Sequence, residues 1–195
     1  MPAILFAGGL VLPGVAADPR APGLAILGIY VLMLALQMLT TGIAEEPGWR
    51  DFALPRVQRR FGPLGGTLLL GPLWAGWHLP LFLTTWSPGP PGIVTIVLFF
   101  LTGIGLSVVI TWLFNHTRES LPVAMLAHSS NNNFFSVLAP VIIPVVENSN
   151  NVLISSVIGY GVAAVILVTV TRGRLGYAPD NSALARNESA VSQRI

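Results

Sequence analysis

The chain has 195 residues, of which 53% are hydrophobic and only 9% are charged, whereas an ordinary soluble domain carries about 25% charged residues. This composition excludes a soluble globular protein and indicates one integral membrane domain in contact with a lipid bilayer. The absence of cysteine excludes disulfides and thiolate chemistry, and a formal net charge of +2 gives no reason to expect nucleic-acid binding.

Five apolar stretches are long enough to cross a bilayer as helices, which takes about 20 residues each. They predict spans near 22–45, 63–84, 92–115, 122–146 and 152–171. A short apolar segment, 1–17, precedes them and would reach only about 25 Å as a partial helix. The predicted fold class is therefore all-α: a polytopic transmembrane helix bundle of about five spans, plus this N-terminal segment.

The charges predict how the bundle is oriented. Five spans place every arginine except Arg20 on one side, and the positive-inside rule makes that side the cytoplasm. Residues 51–61 alternate arginine with apolar side chains, which fits either an amphipathic stretch on the cytoplasmic surface or a solvated basic loop. We expect a membrane-embedded domain over 1–171, followed by a polar, disordered cytoplasmic tail over 172–195.

Two adjacent glutamates, Glu45 and Glu46, follow an apolar run without any charged residue. Ionisable residues inside a membrane segment are candidates for function. Neighbouring helical residues point about 100° apart, and Arg50 lies four residues after Glu46, which suits a helical ion pair. The spacing predicts Glu45 as a base supported by Glu46 and Arg50. The alternative is an interfacial charge cluster at a helix end, where Pro47 would kink or stop the helix.

Two histidines lie in later apolar segments. His78 follows Trp74 by four residues on the same helical face, and His128 shares a face with Asn132 in the same way. Each group alone also fits a packing or helix-bridging role. Together, a carboxylate, two imidazoles and an amide can hold and activate a water, with or without a metal, and can stabilise an oxyanion.

The expected depths of Glu45, His78 and His128 in the membrane bear on where the helix that carries His78 begins. Glu45 and His128 are predicted near the cytoplasmic ends of their spans, whereas a helix starting near Gly65 would place His78 about 20 Å deep. A helix starting at Gly71-Pro72, with 61–70 along the surface, would bring the groups to a similar depth.

The order Glu-Glu-x-x-x-Arg, aromatic-x-x-x-His and His-x-x-x-Asn resembles the CPBP family, the Rce1-like CAAX-protease and bacteriocin-processing intramembrane proteases, also called the ABI family. The matching stretches are Glu45 to Arg50, Trp74 to His78 and His128 to Asn132, within a motif core of about 42–135. Each motif alone is weak, but three in order on apolar segments are specific.

The resemblance implies a role for each matching residue. Glu45 would be the water-activating base, and Glu46 and Arg50 would orient it. His78, His128 and Asn132 would surround the water and the substrate carbonyl.

Members of the family are described both as metalloproteases and as glutamate proteases, so the resemblance leaves the metal open. Glu45, His78 and His128 would form a two-histidine, one-carboxylate zinc site with one open position. Asn132 would be a weak ligand and suits an oxyanion donor better.

The implied function is an intramembrane endopeptidase in a bacterial plasma membrane, with its active site toward the cytoplasmic side. Its substrate would be a membrane-associated peptide or protein, such as a prenylated CAAX-type protein or a leader peptide. Three features depart from the family pattern: Pro47, Asp51 where members usually have glycine, and few spans before the first motif.

These departures motivate the alternative of a catalytically silent membrane protein of the same fold, acting as an immunity factor or scaffold. A small transporter is disfavoured because the sequence shows no internal repeat.

Overall fold

The computed structural model describes residues 4–6, 9–11, 23–84, 91–138 and 149–179. The helices are α1 (Gly23–Gln37), α2 (Ile43–Glu46), α3 (Leu54–Trp77), α4 (Ile93–His116), α5 (Leu121–Asn133) and α6 (Ser149–Thr171). Wider π-helical turns lie at Met38–Gly42, Pro47–Ala53 and Phe134–Leu138, and a 3₁₀ turn lies at Leu79–Leu83. The predicted all-α helix bundle is confirmed.

The N-terminal apolar segment contains a small hairpin. Strands β1 (Ile4–Phe6) and β2 (Gly9–Val11) pair antiparallel, with Ile4 opposite Val11. The partial helix expected over 1–17 is therefore wrong for these six residues, and the others lie outside the described ranges. Antiparallel backbone hydrogen bonding between these two short apolar runs competes here with helix formation.

Three helical stretches in the described part of the chain are long and apolar enough to cross a membrane: Gly23–Leu83, Ile93–His116 and Asn150–Thr171. The first contains two of the predicted spans, 22–45 and 63–84. Helical geometry is interrupted between them at Gly62, whose φ of +73° is readily adopted only by a residue without a Cβ. The predicted span 122–146 is helical to Leu138, and its remainder is not described, so the count of five spans stays a prediction.

The helix that carries His78 does not start at Gly71-Pro72, and 61–70 does not form a separate surface segment. Helical geometry resumes directly after Gly62, and Pro72 lies inside the helix. Packing on α4 explains this, because the hydroxyls of Thr67 and Thr111 hydrogen-bond to each other over 3.0 Å, and a Cβ added at Gly71 would lie 3.0 Å from Ile104 Cα. Contact with a neighbouring helix compensates for the proline.

Helix α4 lies between α3 and α6 and approaches both closely at glycines. A Cβ placed at Gly103 would lie 3.2 Å from the Trp74 ring of α3, and one at Gly105 would lie 2.8 Å from Tyr160 Cβ of α6. Small residues allow such close backbone approach between membrane helices, where packing is a main driving force. The two glycines therefore set the positions of Trp74 and Tyr160.

The chain after α6 folds back onto the ends of α3 and α4. Leu175 is fully buried, and its carbonyl accepts a hydrogen bond of 3.1 Å from Asn115 Nδ2. Asn115 and Gln58 also exchange two amide hydrogen bonds, of 3.2 and 3.1 Å. The turn around Leu175 thus packs on the bundle, while 180–195 lie outside the described ranges, so disorder of that part of the tail stays a prediction.

The contact at Gly105 predicts a specific effect on stability. We expect Gly105→Ala to lower the free energy of unfolding by about 1–3 kcal/mol, because the added methyl group forces α6 away from α4. Gly159→Ala on α6 is the matched control, since nothing lies within 4 Å of its added Cβ. Thermal unfolding in detergent compares the two variants, and an unchanged midpoint for Gly105→Ala would contradict the packing described.

Candidate active site

Glu46 is the centre of a fully buried charge cluster. Its Oε1 accepts hydrogen bonds from Arg50 Nη1 over 3.2 Å and from His128 Nδ1 over 2.7 Å. Glu46 is 0% exposed and Arg50 is 5% exposed. A buried carboxylate needs such partners because desolvation of an unpaired charge is very costly. Glu46 is therefore a tightly held structural anion that links the Glu-Glu-x-x-x-Arg motif to α5.

Glu45 is equally buried, at 2% exposed, but it is held differently. Its Oε2 accepts a hydrogen bond of 3.0 Å from Trp74 Nε1, whereas its Oε1 has no hydrogen-bond partner among the described residues. One oxygen thus anchors the carboxylate while the other retains its full capacity to accept a proton or a hydrogen bond. Of the two adjacent glutamates, Glu45 is the one without a charged partner in direct contact.

His78 faces Glu45 with one ring nitrogen. Its Nδ1 lies 2.8 Å from the carbonyl oxygen of Trp74, which can only accept, so Nδ1 carries a proton. In the neutral ring, the lone pair is then on Nε2, which lies 3.9 Å from Glu45 Oε2. Two acceptors at this separation can receive both protons of one bridging water.

Helix α5 brings His128 to the cluster through a close approach at Gly42. A Cβ there would lie 3.3 Å from Met125 Cβ and 3.4 Å from Ser129 Oγ, so a larger residue would push α5 away. His128 is 1% exposed, and its ring meets the Trp74 indole edge-on at 5.6 Å between centroids. The structure therefore brings both predicted histidines to the two predicted glutamates.

Asn132 is the predicted site residue that makes no described hydrogen bond to this cluster. It is half-buried, and its Oδ1 accepts a hydrogen bond of 3.1 Å from Asn131 Nδ2. It lies one helical turn after His128, so both project from the same face of α5. Its Nδ2 donates no hydrogen bond among the described residues and stays available for another acceptor.

A zinc ion needs three protein ligands around one point in a catalytic site. Among the described residues, no group of three His, Asp or Glu side chains is arranged so that it could hold a metal ion. Glu45 and His78 form only a pair, while His128 commits Nδ1 to Glu46. The predicted zinc set of Glu45, His78 and His128 does not fit a three-ligand site in this geometry, and zinc stays a prediction.

Trp74 is a site residue that the sequence reasoning did not assign. Its indole N–H binds Glu45, its carbonyl binds His78, and its ring contacts both histidines. The spacing of four residues before His78 already placed the two on one helical face. Nothing in the sequence indicated that the indole would reach across to Glu45.

The glutamate pair lies between two π-helical turns, Met38–Gly42 and Pro47–Ala53. The helix does not end at Pro47, because the wider turn accommodates the missing proline N–H and the chain remains helical into α3. The predicted kink at Pro47 stays a prediction. Such turns are rare and are often found at functional sites. Asp51 within the second turn is exposed, and Arg50 remains paired with Glu46.

The fold and this cluster define an integral membrane protein with a buried carboxylate–imidazole site in its helical interior. The profile of the Rce1-like family, "Type II CAAX prenyl endopeptidase Rce1-like", matches residues 27–134, which include all six predicted site residues. The chain belongs to this family.

A curated relative, CAAX prenyl protease 2 of Methanococcus maripaludis, is 29% identical over 103 residues. The match covers 51% of this chain and 38% of the relative, so it spans less than half of that protein. No solved structure matches the chain.

Proposed function

We propose that this protein is an intramembrane endopeptidase that hydrolyses a peptide bond of a membrane-associated substrate with a water activated by Glu45. The observation that carries the proposal is the buried Glu45 carboxylate and its neighbour His78. Trp74 anchors Glu45 Oε2, which lies 3.9 Å from the imidazole lone pair on His78 Nε2, and Glu45 Oε1 has no hydrogen-bond partner among the described residues. Membership of the Rce1-like family supports the same reaction class.

The reaction begins with a water held between Glu45 and His78. Glu45 takes one proton from the water, and the resulting hydroxide oxygen bonds to the carbonyl carbon of the substrate. The carbonyl oxygen becomes an oxyanion and accepts a hydrogen bond from Asn132 Nδ2. The proton on Glu45 then passes to the amide nitrogen as the C–N bond breaks, which releases a carboxylic acid and an amine.

Glu46 supports this chemistry without taking part in the proton transfer. Its contacts with Arg50 and His128 fix the helical turn that precedes α3 and hold α5 against it. Both contacts go to Glu46 Oε1, and its Oε2, like Oε1 of Glu45, has no hydrogen-bond partner among the described residues. A carboxylate paired with a guanidinium is nevertheless a poor base, because the neighbouring positive charge stabilises its ionised form. The adjacent glutamates therefore differ in function, with Glu45 as the base and Glu46 as its support.

For the substrate we propose a membrane-associated peptide or protein, either a prenylated CAAX-type protein or a leader peptide. The curated relative is named as a CAAX prenyl protease, which supports the first choice. We further propose a bacterial plasma membrane with the site toward the cytoplasm, on the strength of the arginine distribution.

The alternative of a catalytically silent membrane protein of the same fold is no longer supported by two of the three sequence features that motivated it. Pro47 is accommodated in a π-helical turn, and the exposed Asp51 leaves Arg50 with Glu46. These observations favour the enzyme over an immunity factor or scaffold of the same fold.

The test is cleavage of fluorogenic peptides, prenylated and unprenylated, by protein purified in detergent. Parallel reactions contain a chelator, or a chelator followed by added zinc. Cleavage that the chelator abolishes and zinc restores would support a metal, whereas cleavage that survives chelation would support a water activated by Glu45 alone. Folded protein that cleaves nothing across a broad library would overturn the proposal and favour the immunity or scaffold alternative.

The indole of Trp74 predicts a measurable effect on the rate. We expect Trp74→Phe to lower kcat about tenfold, because a hydrogen bond to a charged group is worth about 1.5 kcal/mol or more. Trp112→Phe makes the same change of ring away from the cluster, where Trp112 stacks on His116. Steady-state kinetics compares the variants, and equal losses in both would contradict a specific role for the Trp74 N–H.

A further inference from the structure

A chain of three side chains connects α6 to the predicted oxyanion donor. The hydroxyl of Tyr160 donates a hydrogen bond to Asn131 Oδ1, and Asn131 Nδ2 donates one of 3.1 Å to Asn132 Oδ1. Tyr160 lies on α6, while both asparagines lie on α5. Tyr160 also lies outside residues 27–134, the part of the chain that matches the family.

These two hydrogen bonds determine which way each amide faces. A primary amide has one accepting end and one donating end, and its rotation by 180° exchanges them. Because the phenol donates to Asn131 Oδ1, the NH₂ group of Asn131 faces Asn132. That group in turn engages Asn132 Oδ1, so the donating end of Asn132 is left for another acceptor.

The position of Tyr160 on α6 is itself tightly constrained. Tyr160 packs against the backbone of α4 at Gly105, where an added Cβ would lie 2.8 Å from Tyr160 Cβ and 3.2 Å from its carbonyl carbon. Close backbone contact fixes where the Tyr160 backbone and Cβ lie at the interface of α4 and α6. From this anchored position the hydroxyl donates to Asn131 Oδ1.

We infer that Tyr160 is a positioning residue, which sets the amide of Asn132 through Asn131 so that Nδ2 faces the oxyanion. This inference rests on the proposed function, and it adds to the reaction a residue of α6 that no motif includes. Without the phenol hydroxyl, Asn131 can rotate its amide, and Asn132 can then present its oxygen to the developing negative charge.

The experiment compares Tyr160→Phe with wild type in both the native and the Asn132→Ala background. The variant keeps the packed ring and removes only the hydroxyl. We expect kcat to fall about tenfold, with KM changed by less than about twofold, since removing an oxyanion donor outright costs about 100-fold or more. In the Asn132→Ala background we expect no further fall, because the residue on which Tyr160 acts is gone.

The matched control is Thr95→Val. Thr95 on α4 donates its hydroxyl to Asn150 Oδ1 on α6 over 2.8 Å, so it is another hydroxyl-to-amide bond between helices. If Tyr160 served only to tie helices together, Tyr160→Phe and Thr95→Val would lower kcat alike, and the fall caused by Tyr160→Phe would be equal in the native and Asn132→Ala backgrounds. Either result would overturn the inference.

A second readout needs no substrate and therefore separates this inference from the proposed function. The side-chain amide NMR signals of Asn132, assigned with Asn132→Ala, are expected to shift in Tyr160→Phe and to stay in place in Thr95→Val. Unshifted signals would overturn the relay even in an active enzyme. If the Asn132 signals shift in Tyr160→Phe but the wild-type protein cleaves no peptide, the relay would be upheld and the protease refuted.

Discussion

Replacing Glu45 by glutamine is expected to abolish peptide cleavage while leaving a folded, membrane-inserted protein. General base catalysis contributes on the order of 10³-fold to rates of this kind, so the residual rate should approach the background. Glutamine keeps the shape of the side chain and can still accept the indole N–H of Trp74 with its carbonyl oxygen. It cannot take a proton from water.

Stability separates this expectation from simple misfolding. Glu45 is buried without a charged partner in direct contact, so removing its charge relieves desolvation, and the unfolding temperature in detergent should be equal to or above that of wild type. Asp51→Asn is the matched control, because it neutralises an exposed carboxylate six residues away in the same helical stretch. The control should keep most of its activity, and cleavage that survives Glu45→Gln would remove Glu45 from the role of base.

The meeting of Glu45, Glu46, His78 and His128 was predictable from the order of three motifs on apolar segments. The Glu46–Arg50 contact was predictable from its spacing of four residues, which persists even though a π-helical turn begins at Pro47. Local spacing determines such contacts because both partners lie on one continuous helix. The assignment of roles to these residues still depends on the kinetic tests.

The helix starts were less predictable. The stretch 62–72 contains glycines and prolines throughout, and the sequence alone does not tell which of them interrupts the helix. The break falls at Gly62, because from Pro63 onward the helix packs on α4 through Thr67 and Gly71. Tertiary contact therefore decided a question that local propensity left open.

The contacts of Trp74 and Tyr160 lay beyond sequence reasoning for a related reason. Each joins residues 29 positions apart, from Glu45 to Trp74 and from Asn131 to Tyr160. No periodicity within one helix relates such pairs, since their distance depends on how the helices pack. A buried indole or phenol seeks a hydrogen-bond partner, but the partner is known only once the bundle is built.

The second large effect concerns Glu46, whose substitution should lower the free energy of unfolding more than it changes the catalytic step. Glu46→Gln leaves the nearly buried Arg50 guanidinium without its carboxylate, which should destabilise the fold by roughly 3–5 kcal/mol. Glutamine still offers an oxygen to His128 Nδ1, so the change isolates the loss of charge. Thermal unfolding in detergent measures the effect.

The double variant Glu46→Gln with Arg50→Met tests whether the loss comes from the unpaired charge. Replacing both members of a buried pair by neutral groups is often nearly neutral for stability, so the double variant should recover most of the lost unfolding free energy. It should also keep a measurable fraction of cleavage, whereas Glu45→Gln keeps its stability and loses cleavage. A stable double variant as inactive as Glu45→Gln would show that Glu46 takes part in the chemistry. A Glu46→Gln variant as stable as wild type would contradict the buried ion pair.

If instead Glu45→Gln loses cleavage and keeps its stability while Glu46→Gln loses stability, the two adjacent glutamates are distinguished: Glu45 acts on water, and Glu46 holds the site together.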